Sequence, residues 1–418
     1  MSQLQPKVEM FTAREQLEAG KDQTVEVLIR ITPPPPQVSS AGRPALNLSL
    51  VLDRSGSMQG EKMVRAREAA MFCVDQMLAS DRLSVVTFDD YIELLFPSEP
   101  VTNKQAMKDL ISRVTARGST ALHEAWVRGG LTVSEELLEQ GINRVLLITD
   151  GLANVGITNP DEIVSQALNL YQRGVSTTTI GIGRDFNEDL LMRMAQSAGG
   201  NAWHVAEPED MQRIFQTELE GLIAQFAHTV SLSLIPADGV QIVDVLNDFE
   251  LTETGRYRLP NLQSESPLEI VVQLRVGAQK AGARLRLLDL RLGYTPQDAR
   301  NADVLKQAHT VEFASKTEVE KLPVNQDVVK AVQFLMNARA RNEAMNLMDR
   351  GDYVGAGHVL DAALCLTRSA CAEFGSKQSV MEELAALEES AEALKDRRED
   401  KMSRKKLAYA AYSRRQGK

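Results

Sequence analysis

Asp53, Ser55 and Ser57 alternate along one short stretch, with Gly56 between the two hydroxyls, directly after the apolar run Leu48-Ser49-Leu50-Val51-Leu52. A carboxylate and two hydroxyls at two-residue spacing turn their oxygens toward one point when glycine lets the chain fold tightly. Alone they make a weak site for a hard cation. Thr120, after Arg117-Gly118-Ser119, adds a hydroxyl, and Asp150, closing the run Val145-Leu146-Leu147-Ile148-Thr149, adds a second carboxylate. Two carboxylates among neutral hydroxyls suit a six-coordinate Mg²⁺ or Mn²⁺ that keeps water in its shell. Ca²⁺ remains an option, although it usually gathers more carboxylate and carbonyl oxygen. Two negative charges against two positive also leave the metal electrophilic enough to take an external carboxylate in place of a water. Loop by loop, the same residues read equally as helix caps and turn formers. Together they argue for one site, because independent caps need not converge on one sheet edge.

Other chemistries find little support. Cys73 sits in an apolar helical run and reads as a small buried hydrophobe, while Cys365 and Cys371 are six apart, which is not a zinc spacing. The histidines are scattered, and His123-Glu124 does not complete a zincin motif. There is no Gly-x-x-x-x-Gly-Lys-Ser/Thr loop and no Gly-x-Ser-x-Gly elbow around Ser55. Asp89 and Asp90 read as structural loop acids, and Trp126 and Trp203 as packing residues.

The elements that hold the candidate ligands read as an alternation of strands and helices. Apolar runs at 46–52, 83–88, 144–149 and 176–182 have the length and Val/Ile/Leu content of buried parallel strands. Between and after them, amphipathic stretches lie near 60–79, 103–115, 121–139, 160–173, 187–198 and 208–225; Asn159-Pro160-Asp161-Glu162 supplies a cap, a proline and first-turn acids. This predicts a doubly wound α/β domain over 44–226, with ligands beyond the strand carboxyl ends. Residues 227–315 turn to short alternating strands divided by Ala237-Asp238-Gly239 and Glu253-Thr254-Gly255, a β-sandwich pattern. The strands near 6–12 and 23–32, within residues 1–36, lack partners of their own, so the α/β domain is expected to be inserted in that sandwich. Pro33 to Pro36 read as a stiff linker.

A helical region is expected over 320–418, broken at Gly351-Asp352-Tyr353. Val380, Leu384, Leu387, Ala391 and Leu394 step by four and three, the pattern of a helix packing on its own domain or of a short coiled-coil surface. The chain ends in a stretch rich in Lys and Arg, from Arg397 and Arg398 to Arg414 and Arg415, that reads as a solvated tail or as a contact for an acidic partner.

The 418 residues allow two or three domains, and 43% apolar with 25% charged residues is a globular balance. A net charge of -10 speaks against general nucleic-acid binding. No apolar run spans a bilayer, and Met1 to Gln16 has no apolar signal region, so no membrane partner and a cytoplasmic location are expected.

Asp53-Arg54-Ser55-Gly56-Ser57, Thr120 and Thr149-Asp150-Gly151 resemble, in order and spacing, the metal-ion-dependent adhesion site of von Willebrand factor type A (VWA) domains. The resemblance covers about 44–226, and the stretch Thr149-Asp150-Gly151-Leu152-Ala153-Asn154-Val155-Gly156 looks most like bacterial members and inter-alpha-trypsin-inhibitor heavy chains. It implies that Ser55, Ser57 and Thr120 ligate the metal and that Asp53 and Asp150 bind it directly or through water. It also implies a non-enzymatic protein–protein interaction module whose partner completes the coordination with a Glu or Asp. Cytoplasmic bacterial relatives often work beside AAA-type ATPases or kinase and phosphatase systems. Two other functions stay open. A Mg²⁺-dependent phosphoryl-transfer enzyme of the haloacid-dehalogenase kind needs a second Asp two residues after the first, where this chain has Ser55. A scaffold would instead work through its β-sandwich and helical surfaces.

Overall fold

The computed structural model describes residues 5–36, 43–299, 301–374, 378–395 and 401–417, with the backbone alone for 370–374 and 393–395. The chain divides into two compact units: residues 36–228 with 296–301, and residues 1–35, 229–295 and 302–418.

The first unit holds a six-stranded sheet in the order Ile92–Pro100, Arg82–Phe88, Leu46–Asp53, Ile142–Thr149, Ser176–Ile182, Ala202–Val205. Five strands are parallel, and the edge strand Ile92–Pro100 pairs antiparallel with Arg82–Phe88. The four apolar runs are its central strands. The two edge strands escape a sequence reading for opposite reasons. Ile92–Pro100 is half exposed and carries Pro97, which only an edge tolerates; Ala202–Val205 is four residues long.

Every residue of Leu46–Asp53 is buried, as befits a central parallel strand covered on both faces. Leu46, Leu48, Leu50 and Leu52 share a core with Met63, Ala66 and Ala70 of helix Glu61–Gln76 and Phe215 of helix Met211–Ile223. Ser49 and Val51 face helix Leu122–Glu135, where Gly129 permits close approach: a Cβ there would lie 2.3 Å from Val51 Cγ2. Asn47 Nδ2 donates to Val133 O (3.0 Å) and Glu136 O (2.9 Å), carbonyls at the end of this helix.

Strand order decides where a ligand can go. From Leu46–Asp53 the chain builds outward on one side through Arg82–Phe88 and later returns to the other side with Ile142–Thr149. The carboxyl end of Leu46–Asp53 is therefore the topological switch point, where the flanking loops part and leave a crevice. Asp53 is its last residue.

In the second unit, Lys7–Thr12 and Gln23–Thr32 join Leu268–Val276 and Val240–Val245 in an antiparallel sheet, with Val27 opposite Val272. Strands on either side of the α/β segment in sequence thus hydrogen-bond to each other. A further sheet contains Arg284–Pro296 antiparallel to Asp303–Ala314, with Gln16–Glu18 added in parallel. Helix Gln326–Asp349 lays Val328, Ala331 and Leu335 on Leu28, Leu246 and Val271.

Tyr353–Phe374, Gln378–Lys395 and Lys401–Arg415 follow. Val380, Leu387 and Ala391 are buried, and Leu387 packs on Ala363 and Leu364, so this stripe is spent inside its own unit; the side chain of Leu394 lies outside the described residues. Much of the basic terminus is a packed helix rather than a free tail. Arg404 pairs with Asp349 (2.8 and 2.9 Å), Lys406 with Glu389 (2.7 Å) and Arg414 with Glu383 (3.1 Å), while Leu407, Ala411 and Tyr412 are buried. Arg397 and Arg398 lie outside the described residues, as does the Cys371 side chain. Among the described residues no helix is long and apolar enough to cross a membrane.

Candidate functional site

Three loops meet at the carboxyl end of the central strands. The turn after Asp53 opens into a short 3₁₀ helix, Gly56–Met58. Gly56 N–H donates to Gly118 O (3.0 Å) and Arg117 N–H to Arg54 O (2.7 Å), which ties this turn to the loop carrying Thr120. Gly118 holds φ +70°, and a Cβ there would lie 2.6 Å from Asp90 Oδ2, so glycine is needed for both the angle and the space. Ala121 N–H donates to Asp89 O (2.9 Å), and Asn154 N–H reaches Thr120 O at 3.4 Å.

The structure brings all five sequence-derived residues together. Asp53 Oδ1 accepts Ser55 N–H at 2.7 Å, and its Oδ2 accepts the Thr149 hydroxyl at 2.6 Å. Ser55 Oγ lies 3.0 Å from Ser57 Oγ, and Ser57 Oγ donates to Asp150 Oδ1 at 2.6 Å. Thr120 closes the ring around Gly151, whose missing Cβ would sit 3.2 Å from Thr120 Oγ1 and 3.9 Å from Asp53 Oδ2. Asp53 and Asp150 are fully buried and Ser55 and Thr120 nearly so; Ser57 is the exposed member.

Burial raises the Asp53 carboxyl from 3.8 to about 6, and the charge of Asp150 adds to the effect, while hydrogen bonds from Thr149 and Ser55 oppose it. Two carboxylates thus share a desolvated space. Lys62 Nζ, on the first turn of helix Glu61–Gln76, lies 2.5 Å from Asp150 Oδ2 and 3.4 Å from Ser57 O.

Asp89 is committed elsewhere. Its burial works to raise the carboxyl, but hydrogen bonds from Arg117 and Tyr91 N–H and the charges of Arg54 and Arg117 outweigh it and hold the group below its usual value. Arg54 Nε and Arg117 Nε reach its Oδ2 at 3.0 and 2.7 Å, and Arg54 Nη1 reaches Glu93 at 2.6 Å. Trp126 is buried with Nε1 on Thr177 Oγ1 (3.1 Å) in the helix-to-sheet packing, and His123 Nε2 meets Gln166 Oε1 (2.8 Å) of helix Pro160–Gln172. Cys73 is buried among apolar neighbours, which pushes its thiol up to about 12.

Sequence reasoning missed Lys62, the role of Thr149 as the partner of Asp53, and the Arg54–Asp89–Arg117 clasp. Only a basic residue one helical turn after the loop signals the first. Arg54 is buried, because Asp89 and Glu93 draw its guanidinium inward. Among the described residues no three His, Cys, Asp or Glu side chains gather as a metal-binding group, so cation binding here has to rest on hydroxyls as well as carboxylates.

A doubly wound sheet with an oxygen cluster at its switch point defines a ligand-binding α/β domain. Residues 47–217 match the von Willebrand factor type A (VWA) domain, a kind of domain that typically serves adhesion or protein interaction and is generally non-catalytic. A segment of 171 residues is 30% identical to the uncharacterized protein sll0103 of Synechocystis, covering 41% of this chain and 40% of that one. Over 248 residues the chain is 28% identical to inter-alpha-trypsin inhibitor heavy chain H4 of Bos taurus, covering 55% of this chain and 26% of the other. The matches therefore span less than half the length of these relatives. A solved structure of a von Willebrand factor type A protein from Catenulispora acidiphila shares the fold with a TM-score of 0.71 over 98% of both chains, at 17% identity.

Proposed function

We propose that the VWA domain binds a divalent cation, Mg²⁺ by preference, through Asp53, Ser55, Ser57, Thr120 and Asp150, and uses it to hold an acidic side chain of a partner protein. The carrying observation is the convergence of two buried carboxylates with three hydroxyls at the sheet's switch point. The donor set fits the ion: all ligands are hard oxygens, and Gly151 leaves a cradle between Thr120 Oγ1 and Asp53 Oδ2 that any larger residue would fill. When bound, the ion supplies an electrophilic position open to a carboxylate. The chain's own residues do the rest. Thr149 and Ser55 N–H orient the Asp53 carboxylate, Ser57 bridges to Asp150, and the Arg54–Asp89–Arg117 clasp fixes the neighbouring loops. Ser55 occupies the position where a phosphoryl-transfer enzyme of the haloacid-dehalogenase kind needs its acid/base, and its hydroxyl is engaged with Ser57, which favours holding over cleaving.

The test is capture of partner proteins by the full chain in Mg²⁺, in EDTA, and with an Asp53→Ala/Ser55→Ala variant. Capture in Mg²⁺ and its loss in both controls is expected. Capture that persists in EDTA and in the variant refutes the reading.

A further inference from the structure

The Asp-x-Ser-x-Ser turn leads into helix Glu61–Gln76, whose second residue, Lys62, sends its chain back over the site. Its ammonium lies 2.5 Å from Asp150 Oδ2 with 3.4 Å to the Ser57 carbonyl, and its side chain is only 30% exposed. Gly183 lies alongside the lysine stem: a Cβ there would make ordinary contact with Lys62 Cε at 3.5 Å and Nζ at 3.6 Å. Asp150 has its two oxygens divided: Oδ1 accepts the Ser57 hydroxyl, and Oδ2 accepts Lys62.

The geometry points to Lys62 as an internal cation that competes with the divalent ion for Asp150 and so sets the affinity of the site. The inference rests on the metal-site reading above and adds a residue outside its five ligands. A dication seated among those oxygens meets a monocation already held on one of the two carboxylates. Like charges a few ångströms apart with little solvent between them repel strongly. Either Lys62 leaves Asp150 or the ion binds against it, and both routes weaken binding. The ammonium also offsets part of the repulsion between Asp53 and Asp150, so it supports the fold when the ion is scarce. Lys62 thus trades metal affinity for independence from metal.

Isothermal titration of the full chain with MgCl₂ at fixed ionic strength, together with unfolding midpoints in EDTA, separates the possibilities. Lys62→Met keeps the apolar stem and removes the charge; Lys62→Arg keeps the charge. Lys62→Met is expected to bind Mg²⁺ about tenfold more tightly and to unfold earlier in EDTA, with Lys62→Arg close to the parent on both. Equal or weaker Mg²⁺ binding by Lys62→Met overturns the competition and leaves the metal site standing, provided the parent binds Mg²⁺ and Asp53→Ala/Ser55→Ala does not. Absence of Mg²⁺ binding from parent and Lys62→Met alike overturns both readings. Binding that appears only in Lys62→Met supports both.

Discussion

Asp53 is a proposed ligand whose charge the metal-free fold has reason to dislike, and replacing it with asparagine exposes that cost. Its carboxyl titrates at about 6 in the folded chain against 3.8 for a free side chain, mainly through burial. At about 1.4 kcal/mol for each tenfold change in proton affinity, ionised Asp53 weakens the metal-free fold by about 3 kcal/mol. The sign follows from the folded value lying above the unfolded one. The folded chain holds the proton longer, so the contribution is fully present below about pH 4 and is lost as pH rises through about 6. Asparagine does not titrate. In EDTA, the stability of Asp53→Asn relative to the parent should therefore climb by about 2–3 kcal/mol between about pH 4 and pH 8 and level off above pH 7. Any fixed loss from altered hydrogen bonds to Thr149 and Ser55 cancels in that difference. Urea unfolding followed by tryptophan fluorescence suits the measurement, because Trp126 and Trp203 are the two tryptophans and both lie in the VWA unit. Added Mg²⁺ should then stabilise the parent at pH 8 and leave Asp53→Asn unchanged. A stability difference that stays flat with pH, or that favours the parent as pH rises, refutes the claim that Asp53 is a destabilised buried carboxylate.

Other changes test the framework that presents the site. Gly129→Ala places a Cβ 2.3 Å from Val51 Cγ2, and the forced repacking should lower stability by about 1–3 kcal/mol in urea unfolding despite alanine's better helix propensity. Asp89→Ala leaves buried Arg54 with only the half-exposed Glu93; a loss of about 3 kcal/mol in the same assay is expected, with Mg²⁺ affinity falling as the Thr120 loop loosens. Cys73 should resist a thiol reagent until the chain unfolds, since burial pushes its thiol up to about 12, whereas exposed Cys365 should react in the native protein.

The legible parts of this protein share one property: their signal is local. The four central strands show as apolar runs because burial on both faces removes alternation, and Asp53 and Asp150 show because each closes such a run. The edge strand Ile92–Pro100 hides because one edge and part of its surface meet water, which mixes its pattern. The C-terminal cations look like a solvated tail because their partners, Asp349, Glu389 and Glu383, lie on helices up to about fifty-five residues away in sequence.

Sequence alone determined the types of the five candidate oxygen donors, the placing of the two carboxylates at strand ends and the alternation that makes a doubly wound sheet. Tertiary structure decided the rest. Strand order put Asp53 at the switch point beside Asp150. Burial there raised the Asp53 carboxyl to about 6. The return of helix Glu61–Gln76 over the site set Lys62 on Asp150. The physical reason is that ligand identity is a property of single residues, whereas charge balance depends on which groups the fold brings within a few ångströms and how much water it leaves between them.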